Sequence, residues 1–243
     1  MKRSIPFLFV LLFFISVSAK ADDFDIQKLK DASVRMLTSS IIEKCPDCGK
    51  KHGIAGYSSG TIIKSVFNWE NNYTHYVVTA SHVVGPSDKI TVEVFANNES
   101  YGSCEGRLLL RSGNKSGDSD VALVKFDSYK SFSTVSLAAA DYAPKIDDVV
   151  VHIGCPYGTT PPKSLNTDMK IVAIDDDAYK IGSTIACDKM PVIGRSGGGL
   201  FNKKGELIGV CVMIDPVSKR GVYCSWKEVI KLVQGTEYEF LVK

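Results

Sequence analysis

Short runs rich in β-branched residues recur along this chain, and each is closed off by glycine, asparagine, serine or aspartate. SVRMLTSS, GTIIKSVF, YTHYVVTA, KITVEVFA, GRLLLR and DVALVKF form a first set. SLAAADYAPKID then breaks the rhythm and reads as a connector. VVVHIG, KIVAIDD, AYKIGSTIA, ELIGVCVMI and GVYCSW form a second set. Runs of this length and punctuation are strand signals. At the ends the period changes. DFDIQKLKDA carries Phe24, Ile26, Leu29 and Ala32 and predicts a short leading helix. KEVIKLVQG places Val229, Ile230 and Val233 on one face with Gly235 behind them, a closing helix with its stop signal. About six strands, a connector, about six strands and a helix predict an all-β chain of two six-stranded antiparallel β-barrels packed together. The first barrel is expected over about 33–137, the second over about 146–225, and the helix over about 226–235.

The first 21 residues do not read as part of this fold. MKRS is a basic start, IPFLFVLLFFISVS is an unbroken apolar run, and Ala19-Lys20-Ala21 offers small residues where a signal peptidase would cut. The run is shorter than the roughly 20 residues of a membrane-spanning helix. A signal peptide over 1–21 is therefore expected, with residues 22–243 exported and no membrane insertion after cleavage. Its removal takes away Lys2, Arg3 and Lys20 and leaves 26 basic against 27 acidic residues, a net charge of −1. No basic excess remains to draw the mature chain to nucleic acid or anionic lipid. Cys45, Cys48, Cys104, Cys155, Cys187, Cys211 and Cys224 make an odd number of cysteines, which suits an oxidising compartment and predicts disulfide bonding with at least one thiol left over.

The chemistry is concentrated in GRSGGGLF, Gly194 to Phe201. The Gly-x-Ser-x-Gly pattern matches a nucleophile elbow, but that fold needs its histidine after the serine. His52, His75, His82 and His152 all precede Ser196. A phosphate loop needs a Lys-Ser or Lys-Thr after the glycines, and none follows. The remaining arrangement is histidine, aspartate and serine in that order. YVVTASHVV puts His82 just beyond an apolar strand, and GDSDVALVKF puts Asp120 at the start of a buried one. Asp118, two residues earlier in the same segment, is the competing carboxylate. His75 and His152 read as structural, and the order Asp120–His152–Ser196 fits neither the residues around Ser196 nor the strand-rich pattern. A serine hydroxyl needs an imidazole to take its proton and a carboxylate to hold that imidazole in the right tautomer. The glycines give the turn a second use: they let the amides of Gly194 and Ser196 point at one spot, as an oxyanion hole requires.

TASHVV, SDVALVKF and GRSGGGLFNKKGELIGV resemble the three signatures of trypsin-like serine proteases, and are most similar to the high-temperature-requirement (Deg-type) branch. SSGTII, HIGCPYG and GVYCSWKEVIKL resemble further blocks of that branch, so the likeness runs from about Ser33 to the end. It implies His82 as general base, Asp120 as its orienter, Ser196 as nucleophile, and Gly194 with Ser196 as the oxyanion hole. The reaction implied is endopeptidase hydrolysis of a polypeptide through an acyl-enzyme, with no metal and no cofactor. The protease domain is expected alone, without a peptide-sensing PDZ module.

Departures from the family shape further expectations. Arg195 stands where trypsin has the aspartate that pairs with a new N-terminus, so no trypsin-style activation is expected. Met190 stands where trypsin has its specificity aspartate. Met190, Val212 and Ile214, with Gly221 across the final strand pair, are therefore expected to form an apolar substrate pocket for small or medium aliphatic residues. Gly199 replaces a usual proline and predicts a looser turn beside the oxyanion hole. Arg195 and Gly199 together favour the alternative reading, a non-catalytic binding module on the same fold. In EKCPDCGKKHG, Cys45, Cys48 and His52 resemble half of a zinc ribbon, but a second ligand pair is missing and a loop disulfide is the expected use. Cys211 and Cys224 fall on strands expected to be neighbours, where a cross-strand disulfide and two buried thiols are both open readings.

Overall fold

A computed structural model describes residues 24–44, 51–85, 87, 89–113, 118–175 and 177–243. The signal-peptide reading of 1–21 and the Cys45/Cys48 loop fall outside these residues. The chain enters through a short helix, α1 (Ile26–Asp31), capped by the Asp25 carboxylate on the Lys28 amide at 3.0 Å. Six strands follow: β1 (Ser33–Lys44), β2 (Lys51–Phe67), β3 (Tyr73–Thr79), β4 (Lys89–Ala96), β5 (Glu99–Arg111) and β6 (Ala122–Ser128). One helical turn, α2 (Ser81–Val84), sits between β3 and β4. These strands close into a barrel in the order β1-β2-β3-β6-β5-β4.

The second unit contains β7 (Val149–Gly154), β8 (Lys163–Ser164), β9 (Met169–Ile174), β10 (Thr184–Cys187), β11 (Gly199–Phe201), β12 (Leu207–Asp215) and β13 (Arg220–Ser225). The sheet runs β11-β12-β13-β10-β9-β7, and β11 pairs back onto β7 to close a second six-stranded barrel, with β8 added on β7. The closing helix α3 (Trp226–Val233) starts at Ser225, whose hydroxyl accepts from the Lys227 amide. It ends just before Gly235, where φ is +72°. No helix among the described residues is long and apolar enough to cross a membrane.

Three apolar cores explain why the strands read as near-continuous hydrophobic runs. Val34, Met36, Ile62, Val77, Val92 and Val124 fill the first barrel. Met169, Ile171, Ile185, Leu200, Tyr223 and Trp226 fill the second. Val78, Leu123, Val151, Ile153, Phe201 and Val222 form a third core between the barrels. Val77 and Val78 are adjacent in β3, so one enters the barrel and the next meets the other barrel. A strand covered on both faces carries no polar alternation.

Some expectations are corrected. β1 and β2 run beyond the predicted segments as a long hairpin, paired out to Lys44↔Lys51. AYKIGSTIA is not one strand: a 3-10 turn occupies Asp177–Tyr179, and β10 begins at Thr184. Its partner in the count is β11, a strand inside the glycine-rich stretch itself. Cys104, Cys155, Cys187, Cys211 and Cys224 are all free thiols, so no disulfide forms among the described residues. Register is the reason for the last pair. Cys211 lies opposite Tyr223 and Cys224 opposite Val210. The two cysteines are one step apart and point to different cores.

Candidate active site

The site is assembled where strand ends of the two barrels meet. β3 runs into Ala80 and α2, which carries His82 with its ring half-exposed. Asp120 lies just ahead of β6, which is hydrogen-bonded along its length to β3. The pairing Thr79↔Ala122 therefore brings both side chains to the same end of the barrel. Asp120 grips His82 twice. Its Oδ1 accepts the His82 backbone N–H at 2.8 Å, and its Oδ2 lies 2.6 Å from Nδ1. A carboxylate at Nδ1 selects the tautomer with the proton there, leaving the Nε2 lone pair free to accept one. Asp120 is also tied to the second barrel, since its amide donates to Cys224 Sγ at 3.3 Å.

Ser196 sits half-buried in a turn held from several sides. Its carbonyl accepts the Ser59 amide at 2.8 Å, from β2 of the first barrel. Gly197 N–H donates to the Cys211 carbonyl at 2.7 Å, and Cys211 N–H returns to the Gly198 carbonyl at 2.9 Å. Gly197 has φ +82°, and a Cβ there would fall 2.1 Å from Thr79 Oγ1 and 3.1 Å from the Ala80 amide. The serine turn thus lies directly against the strand end that leads into His82, and only a glycine allows the approach. Gly194 has φ +89°. Among the described residues the amides of Gly194 and Ser196 have no backbone acceptor, which leaves both available to a ligand.

Beside Ser196 is a cavity of ≈ 170 Å³ lined by Pro191, Val192, Ile193, Cys211, Met213 and Ile214 together with Ser196 itself. Of the four residues expected in a substrate pocket, Ile214 lines this cavity. Met190, Val212 and Gly221 do not. A register irregularity between Cys211 and Met213 marks the bend of β12, and Val212 there turns into the core between the barrels. Its neighbours Cys211 and Met213 take the cavity side instead. Cys211 is a chemically quiet wall, because burial pushes its thiol up to about 12.

Gly199 is not part of a loose turn. It pairs with Ile153 and with Val210 inside β11, and a Cβ there would lie 2.4 Å from the Phe201 ring and 2.7 Å from Thr61 Oγ1. Close packing of the two barrels requires the glycine. Arg195 is 4% exposed and donates to the carbonyls of Lys163 at 2.9 Å and Ser164 at 3.2 Å, tying the turn to β8. Next to it His152 is wholly buried, with Nδ1 donating to the Gly199 carbonyl at 3.0 Å. Burial, reinforced by the Arg195 charge, lowers its pKa to about 3.

That depression has a stability consequence. Between about 6.5 and about 3 the unfolded chain holds a proton on this histidine that the folded chain does not, so stability rises with pH across that window and is lost as pH falls through it. Urea titrations at pH 7 and pH 5 should show wild type losing about 2 kcal/mol more than His152→Gln, which keeps a donor for Gly199 but does not titrate. Equal losses would contradict the depressed value.

Two closed six-stranded barrels, with a histidine–aspartate pair at the rim of the first and a glycine-bracketed serine on the second, define a trypsin-like double barrel. Comparison with known proteins agrees. The family model of the trypsin-like peptidase domain matches residues 59–210. The chain belongs to the trypsin-like peptidase family. It is 30% identical over 163 residues to a probable periplasmic serine protease, do/HhoA-like, of Haemophilus influenzae, covering 66% of this chain and 31% of the relative. It is also 30% identical over 188 residues to a probable periplasmic serine endoprotease, DegP-like, of Buchnera aphidicola, covering 72% of this chain and 36% of the relative. The chain thus spans about a third of the length of these curated relatives. Among solved structures, the HtrA-type protease AlgW with a decapeptide shares the fold with a TM-score of 0.64 at 19% identity, over 84% of this chain and 63% of that one.

Proposed function

We propose that this chain is an exported serine endopeptidase acting on polypeptides through His82, Asp120 and Ser196. The observation that carries the reading is the double grip of Asp120 on His82, which readies an imidazole beside the serine turn. In the reaction, Ser196 Oγ attacks the scissile carbonyl carbon while its proton passes to His82 Nε2. The carbonyl oxygen becomes an oxyanion facing the Gly194 and Ser196 amides. Collapse breaks the C–N bond, and His82 returns the proton to the leaving amine. Water then attacks the acyl-enzyme by the same route and frees Ser196. Export is supported by the signal-like first 21 residues and by relatives whose names place them in the periplasm.

The test is a fluorophosphonate probe on the folded mature chain, with the adduct located by mass spectrometry. Stoichiometric labelling on Ser196 is expected. A folded chain that takes no label and cuts no peptide would instead be a binding module.

Specificity follows from the cavity. Its walls are the aliphatic side chains of Pro191, Val192, Ile193 and Ile214, the Met213 thioether and the Cys211 thiol, with the Ser196 hydroxyl at its edge, and none of its lining residues is charged. A charged side chain entering there would lose its hydration without a partner, whereas a valine- to leucine-sized one is simply desolvated. Cleavage after small or medium aliphatic residues is proposed. Met213→Ala enlarges the cavity and should shift kcat/KM towards phenylalanine at the cleaved position by about tenfold relative to valine. A peptide-library profile unchanged by the substitution would place the pocket elsewhere.

A further inference from the structure

Ser59 lies on β2 of the first barrel, is wholly buried, and uses all of its polar groups at the candidate active site. Its amide donates to the Ser196 carbonyl at 2.8 Å. Its hydroxyl donates to the Gly194 carbonyl at 2.8 Å and accepts the Cys155 amide at 2.8 Å. Its own carbonyl accepts Thr79 Oγ1 at 2.8 Å. One residue therefore joins the strand end before His82, the start of the second barrel, and both sides of the serine turn. The alternation of β2 makes this placement. At Gly60 a Cβ would meet Val77, Met36 and Val34 inside the first barrel, so Ser59 and Thr61 face the second.

We propose that Ser59 is a positioning residue that holds the Gly194–Ser196 turn with its two free amides presented to the substrate. This rests on the protease reading above. The Gly194 carbonyl lies in the chain between those two amides. Glycine at φ +89° leaves its peptide unit conformationally free; the Arg195 N–H end of that unit is held inside the turn by the Val192 carbonyl at 3.2 Å, and the carbonyl end is held from outside it. The neighbouring Ile193 carbonyl is held by the Tyr157 amide at 2.6 Å, and the Arg195 carbonyl by the Gly198 amide at 3.0 Å. The Gly194 carbonyl between them is held by the Ser59 hydroxyl alone among the described residues. Without that hydroxyl the Gly194 carbonyl and the Cys155 amide become buried groups with no partner, and rotation of the Gly194 peptide is the available relief. The units on either side of it carry the Gly194 and Ser196 amides, so its rotation turns the two donors away from a common point.

The test compares wild type with Ser59→Ala and Ser59→Thr, each as the folded mature chain. Two readouts are used: the rate of fluorophosphonate labelling with peptide kcat and KM, and hydrogen exchange at the amides of Arg195, Gly197 and Gly198. Ser59→Ala should slow labelling and kcat on the order of 10- to 100-fold, less than or similar to losing an oxyanion donor outright, with KM changed less than about threefold. Exchange at the three amides should rise about tenfold or more while strands β4 and β5 keep their protection. Ser59→Thr keeps the hydroxyl and should return both readouts to within about fivefold of wild type. Unchanged labelling or unchanged exchange in Ser59→Ala overturns the proposal. So does exchange that rises equally throughout the first barrel, because that is loss of the fold rather than of position. A wild type that takes no label defeats the protease reading, and exchange at the serine turn still decides the role of Ser59.

Discussion

Ser196→Ala should lower kcat by about 10⁶-fold and abolish fluorophosphonate labelling, with peptide KM almost unchanged. The size of the loss follows from how the site works as a unit. In the proposed mechanism His82 takes a proton only from the attacking hydroxyl, and Asp120 acts only through His82. With the hydroxyl gone, neither contributes to acylation. What survives is substrate binding and the pair of amides at Gly194 and Ser196, which leave a residual advantage of about 10³–10⁴ over water. The fold should be indifferent to the change. Ser196 is half-buried beside an open cavity, and the bonds that hold its turn come from its backbone carbonyl and from Gly197 and Gly198, not from Oγ. Equal urea midpoints for the two proteins are therefore expected alongside the kinetic loss. Activity within tenfold of wild type, measured on a variant purified in parallel, would remove Ser196 from the role of nucleophile.

How much of this was legible beforehand depended on whether a feature is local. The centres of the first barrel's strands could be read because each contains a compact apolar run ending in turn residues, whereas the extensions of β1, β2 and β5 beyond those runs could not. His82 and Asp120 could be paired in advance because each sits at the end of such a run, and the structure joins them by two hydrogen bonds. The walls of the cavity beside Ser196 could not be read. Which face Val212 takes depends on an irregularity in β12 that exists only through its pairing with β13. The same non-local register decides that Cys211 and Cys224 miss each other. Gly199 reads as slack in a turn when it is seen only as a glycine in place of a usual proline. Its reason is the Phe201 ring and Thr61 hydroxyl packed against it, and Thr61 lies more than a hundred residues earlier in the chain. Ser59 was visible in SSGTII only as a member of a motif. Three of its four hydrogen bonds cross to the second barrel, and they become apparent only once β2 and the serine turn are adjacent.

Asp120→Asn should lower kcat by about 10⁴-fold near neutral pH with little change in KM, although the substitution is nearly isosteric. The two hydrogen bonds explain why so small a change is so costly. The His82 backbone N–H can only donate, so the atom opposite it must be the carboxamide oxygen of the asparagine. The carboxamide nitrogen then faces Nδ1, where a donor meets the imidazole. Nδ1 has to accept, and the imidazole proton moves to Nε2. In that tautomer His82 has no lone pair directed at the serine. Turning the amide over restores a donor at Nδ1 but sets an NH₂ group against the backbone N–H. Asp118→Asn is the control, since the carboxylate in contact with His82 belongs to Asp120, and it should leave kcat within about threefold. Fluorophosphonate labelling should slow in step with kcat for Asp120→Asn, because both reactions need the same deprotonation. A loss smaller than tenfold at Asp120, or a larger loss at Asp118, would mean that the grip seen on His82 is not the one used in turnover.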